Sequence, residues 1–166
     1  MLATAGTHVP TGEDWCHEVK WDGVRALATA GPAGVRLTSR NGNDITGAWP
    51  ELTAPPTGGV GDHVVDGEII ALNERGLPDF RVLAERIHVR KATTVARLAE
   101  RVPATYMAFD LLRHDGEDLT GRPLTERRAR LAALDLGSSG WQVPGTYDAR
   151  WRCANFSHWC VRSPGR

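Results

Sequence analysis

The sequence has few lysines, few cysteines and no long apolar run. No stretch approaches the roughly 18 uninterrupted apolar residues of a membrane span, and the first residues lack the basic and apolar parts of a secretory leader. The three cysteines include no Cys-x-x-Cys motif, which argues against a disulfide framework. We therefore expect a cytoplasmic protein with reduced thiols and no membrane partner.

An excess of charge of one sign is also absent. Twenty basic residues balance twenty acidic ones, so a uniformly basic surface is excluded and any contact with nucleic acid must come from local clustering. Between residues 81 and 130, eleven basic residues face seven acidic ones. This region is the candidate DNA-contacting surface, and the alternative interpretation is a set of solvated helix faces.

The length and composition are those of one soluble globular domain, with 166 residues, 41% hydrophobic and 24% charged. Hydrophobic periodicity predicts three helices, at residues 78–87, 93–102 and 123–134, and five strands, at residues 15–20, 24–30, 35–40, 64–72 and 105–112. A turn at residues 31–34 predicts a hairpin of the second and third strands. The order of elements favours an α+β fold built on antiparallel sheet over a doubly wound fold.

The last part of the chain, residues 149–166, has no usable periodicity. We expect either a disordered tail or a departure of the reading frame near Ala149. Cys153, His158 and Cys160 supply three of the groups that bind zinc, but their spacing fits no usual site and a fourth ligand is missing.

Only two residues, Lys20 and Lys91, are lysines, against eighteen arginines. A lysine can lose its proton and act as a nucleophile, whereas an arginine cannot. Lys20 is the better candidate, because it ends a predicted strand and precedes the Asp22-Gly23 turn; Lys91 is expected to be solvated. Strand geometry puts Glu18 and Lys20 on one face, which also allows a surface ion pair.

Two further groups of residues have the right chemistry for a nucleotide site. Asp66 and Glu68 should share one face of the fourth strand, with Gly67 on the other. These carboxylates could accept ribose hydroxyls or hold Mg²⁺, or they could form a solvated acidic face. Phe109 is either a core residue or a platform for base stacking.

In order and spacing, the motifs at residues 20–25, 39–42, 66–68 and 109–112 resemble those of ATP-dependent DNA ligases. The likeness is greatest to bacterial ligases of the end-joining type, whose adenylation domain begins with a similar Met-Leu-Ala stretch. It extends over residues 1–148. The resemblance implies an α+β, ATP-grasp-like nucleotidyltransferase fold on antiparallel sheets, of which this chain contains an incomplete part.

The same resemblance implies roles for individual residues. Lys20 would attack the α-phosphorus of ATP and pass AMP to a 5′-phosphate of nicked or broken double-stranded DNA, with Mg²⁺ as cofactor and other end-joining proteins as partners. Glu18 would contact the adenine, and Phe109 would contact the adenine face. Arg25 and Arg40 would contact the ribose and phosphates or the nick. Glu68 would contact the ribose hydroxyl or the metal.

Some family motifs are missing from these 166 residues. There is no Glu-Gly dipeptide, and no lysine follows Lys91. Because these groups would neutralise the triphosphate, we expect little complete ligation by this chain alone. Two alternatives stay open: a catalytically inactive remnant that binds nucleotide or DNA, and a related nucleotidyltransferase of the RNA ligase or mRNA capping type.

Overall fold

A computed structural model describes residues 15–54, 61–134, 136, 140–148 and 159–162, with only the backbone described at 148 and 159–162. The strands are Cys16–Val19 (β1), Val24–Gly31 (β2), Gly34–Ser39 (β3), His63–Ala71 (β4), Ala104–His114 (β5), Glu117–Asp118 (β6), Trp141–Gln142 (β7), Tyr147–Asp148 (β8) and Trp159–Arg162 (β9). The helices are Phe80–Ile87 (α1), Ala92–Arg101 (α2) and Leu124–Ala133 (α3), with 3-10 helices at Thr46–Ala48 and Pro50–Leu52.

The strands form two sheets. The larger has the order β3-β2-β4-β5-β6, with β7 also paired to β5, and the smaller has the order β8-β1-β9. All pairings are antiparallel except that of β7 with β5. The predicted α+β fold on antiparallel sheet is confirmed. Sequence periodicity missed the two 3-10 helices and the two-residue strands, which are too short to carry a pattern.

The predicted hairpin is present. Gly31 pairs with Gly34 at its tip, so Pro32 and Ala33 form a two-residue loop. Gly34 has a φ of 106°, a backbone conformation that favours glycine. The hairpin sets the register of β2 against β3.

One face of the larger sheet carries the core. Alternate residues of β2 and β4 are buried there against the helices, the 3-10 helices and β7. Its fully buried members include Ala26, Ala28, Leu37, Leu52, Ile69, Leu83, Tyr106, Leu111 and Leu131. The helices therefore cover this face and leave polar residues of β2 and β4 on the opposite face.

Arg86 ties α1 to the segments around it. Its side chain is 1% exposed, and its guanidinium forms two hydrogen bonds with Glu51 and lies 4.6 Å from the centre of the Trp49 ring. It also donates to the carbonyls of Ala48 and Val102. This guanidinium thus fastens the 3-10 segments and the end of α2 to α1.

Tyr106 crosses the sheet on its core side. The hydroxyl oxygen lies 2.9 Å from two backbone carbonyl oxygens, those of Ala26 and Val65, and its single hydrogen is available to either. The ring passes directly over Gly67, where a β-carbon would lie 2.5 Å from Cζ of the ring and 2.7 Å from the carbonyl oxygen of Met107. Residue 67 must therefore lack a side chain.

The tail is described only in part. Residues 159–162 form β9, which pairs with β1. The remaining tail residues lie outside the described part of the chain, and so do Cys153, His158 and the side chain of Cys160, so the expectations for them stay predictions. Among the described residues, no helix is long and apolar enough to cross a membrane.

We expect Gly67→Ala to lower the free energy of unfolding by about 3 kcal/mol, because the new methyl group would overlap the Tyr106 ring and a backbone carbonyl. Chemical denaturation measures this. Gly47→Ala is the control, since nothing lies within 4 Å of a β-carbon there. Equal stability of the two variants would contradict the packing described for Tyr106.

Candidate nucleotide site

The centre of the candidate site is an ion pair between β2 and β4. Arg25 donates from Nε to Oδ1 of Asp66 at 2.8 Å and from Nη2 to the other carboxylate oxygen. Asp66 is 4% exposed, so the alternative of a solvated acidic face is wrong for this residue. The hydrogen bond to Asp66 is the main cause of the raised pKa of Arg25.

Phe109 lies beside this pair because of a β-bulge. Asp66 pairs with Asp110 and Gly67 pairs with Ala108, which leaves Phe109 as the additional residue on β5. Its ring centre is 5.1 Å from the Arg25 guanidinium carbon. The ring is 8% exposed, and the stacking of a purine on it stays a prediction.

Glu68 pairs in register with Arg25, so the carboxylates of Asp66 and Glu68 both lie near one guanidinium, as the strand alternation predicted. Burial raises the pKa of Glu68 to about 7, and it outweighs the opposing effects of Arg25, a hydrogen bond from the backbone of Gly23, and Lys20. The site therefore holds a carboxylate whose negative charge is only partly compensated by its neighbours.

The Asp22-Gly23 turn is pressed against β4. A β-carbon at residue 23 would lie 2.1 Å from the carbonyl oxygen of Ile69 and 3.1 Å from Cγ of Glu68. Only glycine allows this approach, which brings the backbone N–H of residue 23 to Glu68. The glycine of the lysine motif therefore positions an acidic residue more than forty positions later in the chain.

Lys20 follows the last residue of β1 and is exposed. The observed strand ends at Val19, one residue before the predicted end at Lys20, so the strand alternation from Glu18 does not extend to Lys20. Its charge is among the influences that lower the pKa of Glu68. Lys20 is therefore near enough to Glu68 for its charge to act on that carboxyl, and it is accessible from solvent.

Glu18 is buried in β1, at 5% exposure. Its Oε1 lies 3.7 Å from Nε of Arg128, a residue of α3 that also donates to the carbonyl of Phe109 at 3.0 Å. The structure thus connects two of the predicted adenine contacts through an arginine that the sequence analysis did not single out. The only signal was the Arg127-Arg128 pair on the third helix, which a helical pattern explains equally well.

Arg40 is exposed in the turn after β3. Ser39 before it pairs with Ala26, the residue after Arg25, so the chain leaves the sheet beside Arg25. The described contacts do not include Arg40, and its role stays a prediction.

Most of the basic residues between 81 and 130 have carboxylate partners. Eight arginines pair with acids: Arg81, Arg86, Arg101, Arg113, Arg122, Arg127, Arg128 and Arg130. Within the described ranges, no such pair involves Arg90, Lys91 or Arg97, all of which are exposed. The surface available to a polyanion in this region is therefore smaller than the composition suggests.

Comparison with known proteins identifies the class to which this fold and site belong. The family model for the ATP dependent DNA ligase domain matches residues 1–140. The chain belongs to this family. It is 42% identical over 139 residues to DNA ligase C of Mycobacterium tuberculosis and 40% identical over 151 residues to DNA ligase C2 of Mycolicibacterium smegmatis.

A solved structure of mycobacterial DNA ligase D complexed with ATP and MES matches 99% of the chain, with a TM-score of 0.78 and 27% identity. The matched regions are 83% and 89% of this chain for the two ligases C, but only 38% and 42% of those relatives, and 54% of the solved structure. The chain thus spans about two-fifths of the length of these relatives.

The raised pKa of Glu68 predicts a pH-dependent stability. Between about pH 4.5 and 7 the folded protein holds a proton on Glu68 that the unfolded chain releases, so the free energy of unfolding falls as the pH rises through this window. The glutamine in Glu68→Gln does not titrate, so this fall in the free energy of unfolding is absent in the variant. We expect the Tm of the variant relative to wild type to rise by a few degrees between pH 4 and pH 8, measured by thermal unfolding.

The exposed glutamate Glu74 provides the control. Glu74→Gln should keep a constant Tm difference from wild type over the same range. If the difference for Glu68→Gln is equally constant, the burial of the Glu68 charge is not as described.

Proposed function

We propose that this chain is the adenylate-accepting part of an ATP-dependent DNA ligase of the end-joining type, with Lys20 as the catalytic nucleophile. The observation that carries the proposal is the position of Lys20, which is exposed directly after β1 and near enough to Glu68 for its charge to lower the pKa of that carboxyl. An amine there is accessible to a nucleotide and has a carboxylate nearby. Membership in the ligase family supports the same assignment.

The first step is an in-line displacement at the α-phosphorus of ATP. The Lys20 amine gives up its proton and forms a bond from Nζ to phosphorus, while the bond from that phosphorus to the bridging oxygen breaks and pyrophosphate leaves. The phosphorus–nitrogen bond then breaks when a 5′-phosphate of DNA takes the adenylyl group. A 3′-hydroxyl displaces AMP in the last step and seals the strand.

The other candidate residues orient the nucleotide. Arg25 is held by Asp66 with its guanidinium over Phe109, so its direction is fixed before ATP arrives. We assign Arg25 and Arg40 to the ribose and the phosphates or the nick, and Phe109 to the adenine face. Glu18, which is buried within β1, accepts a hydrogen bond from the adenine.

The carboxylate of the site fits a magnesium ion whose other ligands come from the substrate and water. Mg²⁺ in phosphoryl-transfer sites is commonly held by one or two carboxylates, together with water and phosphate oxygens. Glu68 supplies one such carboxylate, and its high pKa reflects a half-buried charge that a cation would stabilise. A bound Mg²⁺ would neutralise charge on the phosphates, and Glu68 would otherwise accept a ribose hydroxyl.

Self-adenylation tests this proposal. After incubation with ATP and Mg²⁺, we expect the intact mass of the chain to increase by one adenylyl group and pyrophosphate to be released. Lys20→Ala should abolish the increase, because arginines cannot replace a neutral amine. Lys91→Ala is the matched control, since it removes the other lysine and should leave the increase unchanged.

Each alternative function predicts a different result in this assay. An unchanged mass in folded wild-type protein would favour a remnant that only binds nucleotide or DNA. Labelling from GTP in preference to ATP would favour the capping type of nucleotidyltransferase, and transfer of AMP to RNA ends in preference to nicked DNA would favour an RNA ligase.

We further propose that nicked or broken double-stranded DNA, in the cytoplasm, is the substrate, with other end-joining proteins as partners. The support is a 38% identity over 134 residues to the multifunctional non-homologous end joining protein LigD of Pseudomonas aeruginosa. The exposed basic residues without carboxylate pairs in the described ranges, Arg90, Lys91 and Arg97, are the groups we expect to bind phosphates.

Replacing Lys91 and Arg97 together by Gln should weaken binding to nicked duplex and reduce the slope of log affinity against log salt by about one for each phosphate that is no longer neutralised. Fluorescence anisotropy at several salt concentrations measures both. The double variant Arg101→Gln and Arg113→Gln, at one exposed and one half-buried arginine that are each paired with an acid, should change the slope less. Equal slopes for the two double variants would place the DNA elsewhere.

A further inference from the structure

Within the described part of the chain, Arg128 of α3 contacts β1, β5 and the segment after β7. Its Nη1 donates to the carbonyl of Phe109 on β5, its Nη2 donates to the carbonyl of Pro144, and its Nε lies 3.7 Å from the Glu18 carboxylate on β1. The side chain is 13% exposed. One guanidinium therefore links the smaller sheet, the larger sheet and the segment after β7.

The neighbouring arginines have different contacts. Arg127 forms two hydrogen bonds with Asp110 and donates to the carbonyl of Arg122, contacts that fasten α3 to β5 and close the turn before it. Arg130 pairs with Glu117 and Glu126 on a more exposed surface. Among these three, Arg128 is the one that reaches both Phe109, assigned to the adenine face, and Glu18, assigned to adenine.

The geometry points to Arg128 as a positioning residue that sets the preference of the site for adenine over guanine, an inference that rests on the proposed function. Adenine carries an amino group at C6, from which a carboxylate can accept a hydrogen bond. Guanine carries a carbonyl oxygen there, which repels a carboxylate. Arg128 holds Glu18 in place by charge, while its Nη1 donates to the carbonyl of Phe109 and its Nη2 to the carbonyl of Pro144. An arginine suits this task because its planar fork can reach two carbonyls and a carboxylate at once.

Removing the Arg128 guanidinium should therefore weaken the binding of ATP more than the binding of GTP. We expect Arg128→Gln to weaken ATP binding by about tenfold, in keeping with the removal of one charged hydrogen-bonding group, with a much smaller change for GTP. Arg128→Lys should recover part of the preference, because it keeps a cation near Glu18 without the two-carbonyl fork. In adenylation kinetics, the KM for ATP should rise more than kcat falls.

The experiment is isothermal titration of the 166-residue chain with ATP and with GTP, for wild type, the two Arg128 variants and Arg130→Gln. The last is the matched control from the same helix and should keep the wild-type ratio of the two affinities. A fall of equal size for both nucleotides, or an unchanged ratio in Arg128→Gln, would mean that Arg128 is only structural and would overturn the inference.

The two proposals fail in different ways. In one case, wild-type protein binds ATP and becomes adenylated, but its ratio of ATP to GTP affinity equals that of Arg128→Gln. This result would leave the proposed function intact and remove the role of Arg128. Wild-type protein that binds neither nucleotide would overturn the proposed function, and the role of Arg128 with it.

Discussion

The close approach of the Asp22-Gly23 turn to β4 is the constraint on which the candidate site depends. Because residue 23 lies against the carbonyl oxygen of Ile69, the turn that follows Lys20 is held on the strand that carries Asp66 and Glu68. Pairing of β2 with β4 then sets Arg25 opposite Glu68 and within reach of Asp66. A guanidinium and two carboxylates are thereby brought together from two strands that are distant in the sequence, and the turn after the proposed nucleophile is held beside them.

A second glycine acts on the opposite side of the same strand. Gly67 leaves space for the ring of Tyr106, whose hydroxyl lies within hydrogen-bonding distance of carbonyls of both β2 and β4. The Asp-Gly-Glu sequence therefore combines two tasks, with carboxylates toward Arg25 and no side chain toward the core. Because the glycine serves packing here, its presence in a strand gives no separate indication of a ligand at that position.

Buried ion pairs connect the peripheral elements to this sheet. Arg86 with Glu51 and Arg127 with Asp110 each join a helix to a strand or a 3-10 segment, and each guanidinium also donates to backbone carbonyls. A buried pair of this kind destabilises a protein strongly when one partner is removed, because the other charge remains uncompensated. The high arginine content of the chain thus serves its architecture as well as any polyanion.

The sequence by itself determined the order of the main strands and helices, the hairpin at residues 31–34 and the candidate nucleophile, because periodicity, turn residues and the rarity of lysine are local properties. It could not reveal the partner of Arg25, which lies 41 positions away, or the bulge that places Phe109 beside it. The reach of Arg128 to Glu18 was equally hidden, since it depends on how α3 packs against two sheets. Tertiary structure decided these contacts, because strand register and helix packing fix which distant side chains meet.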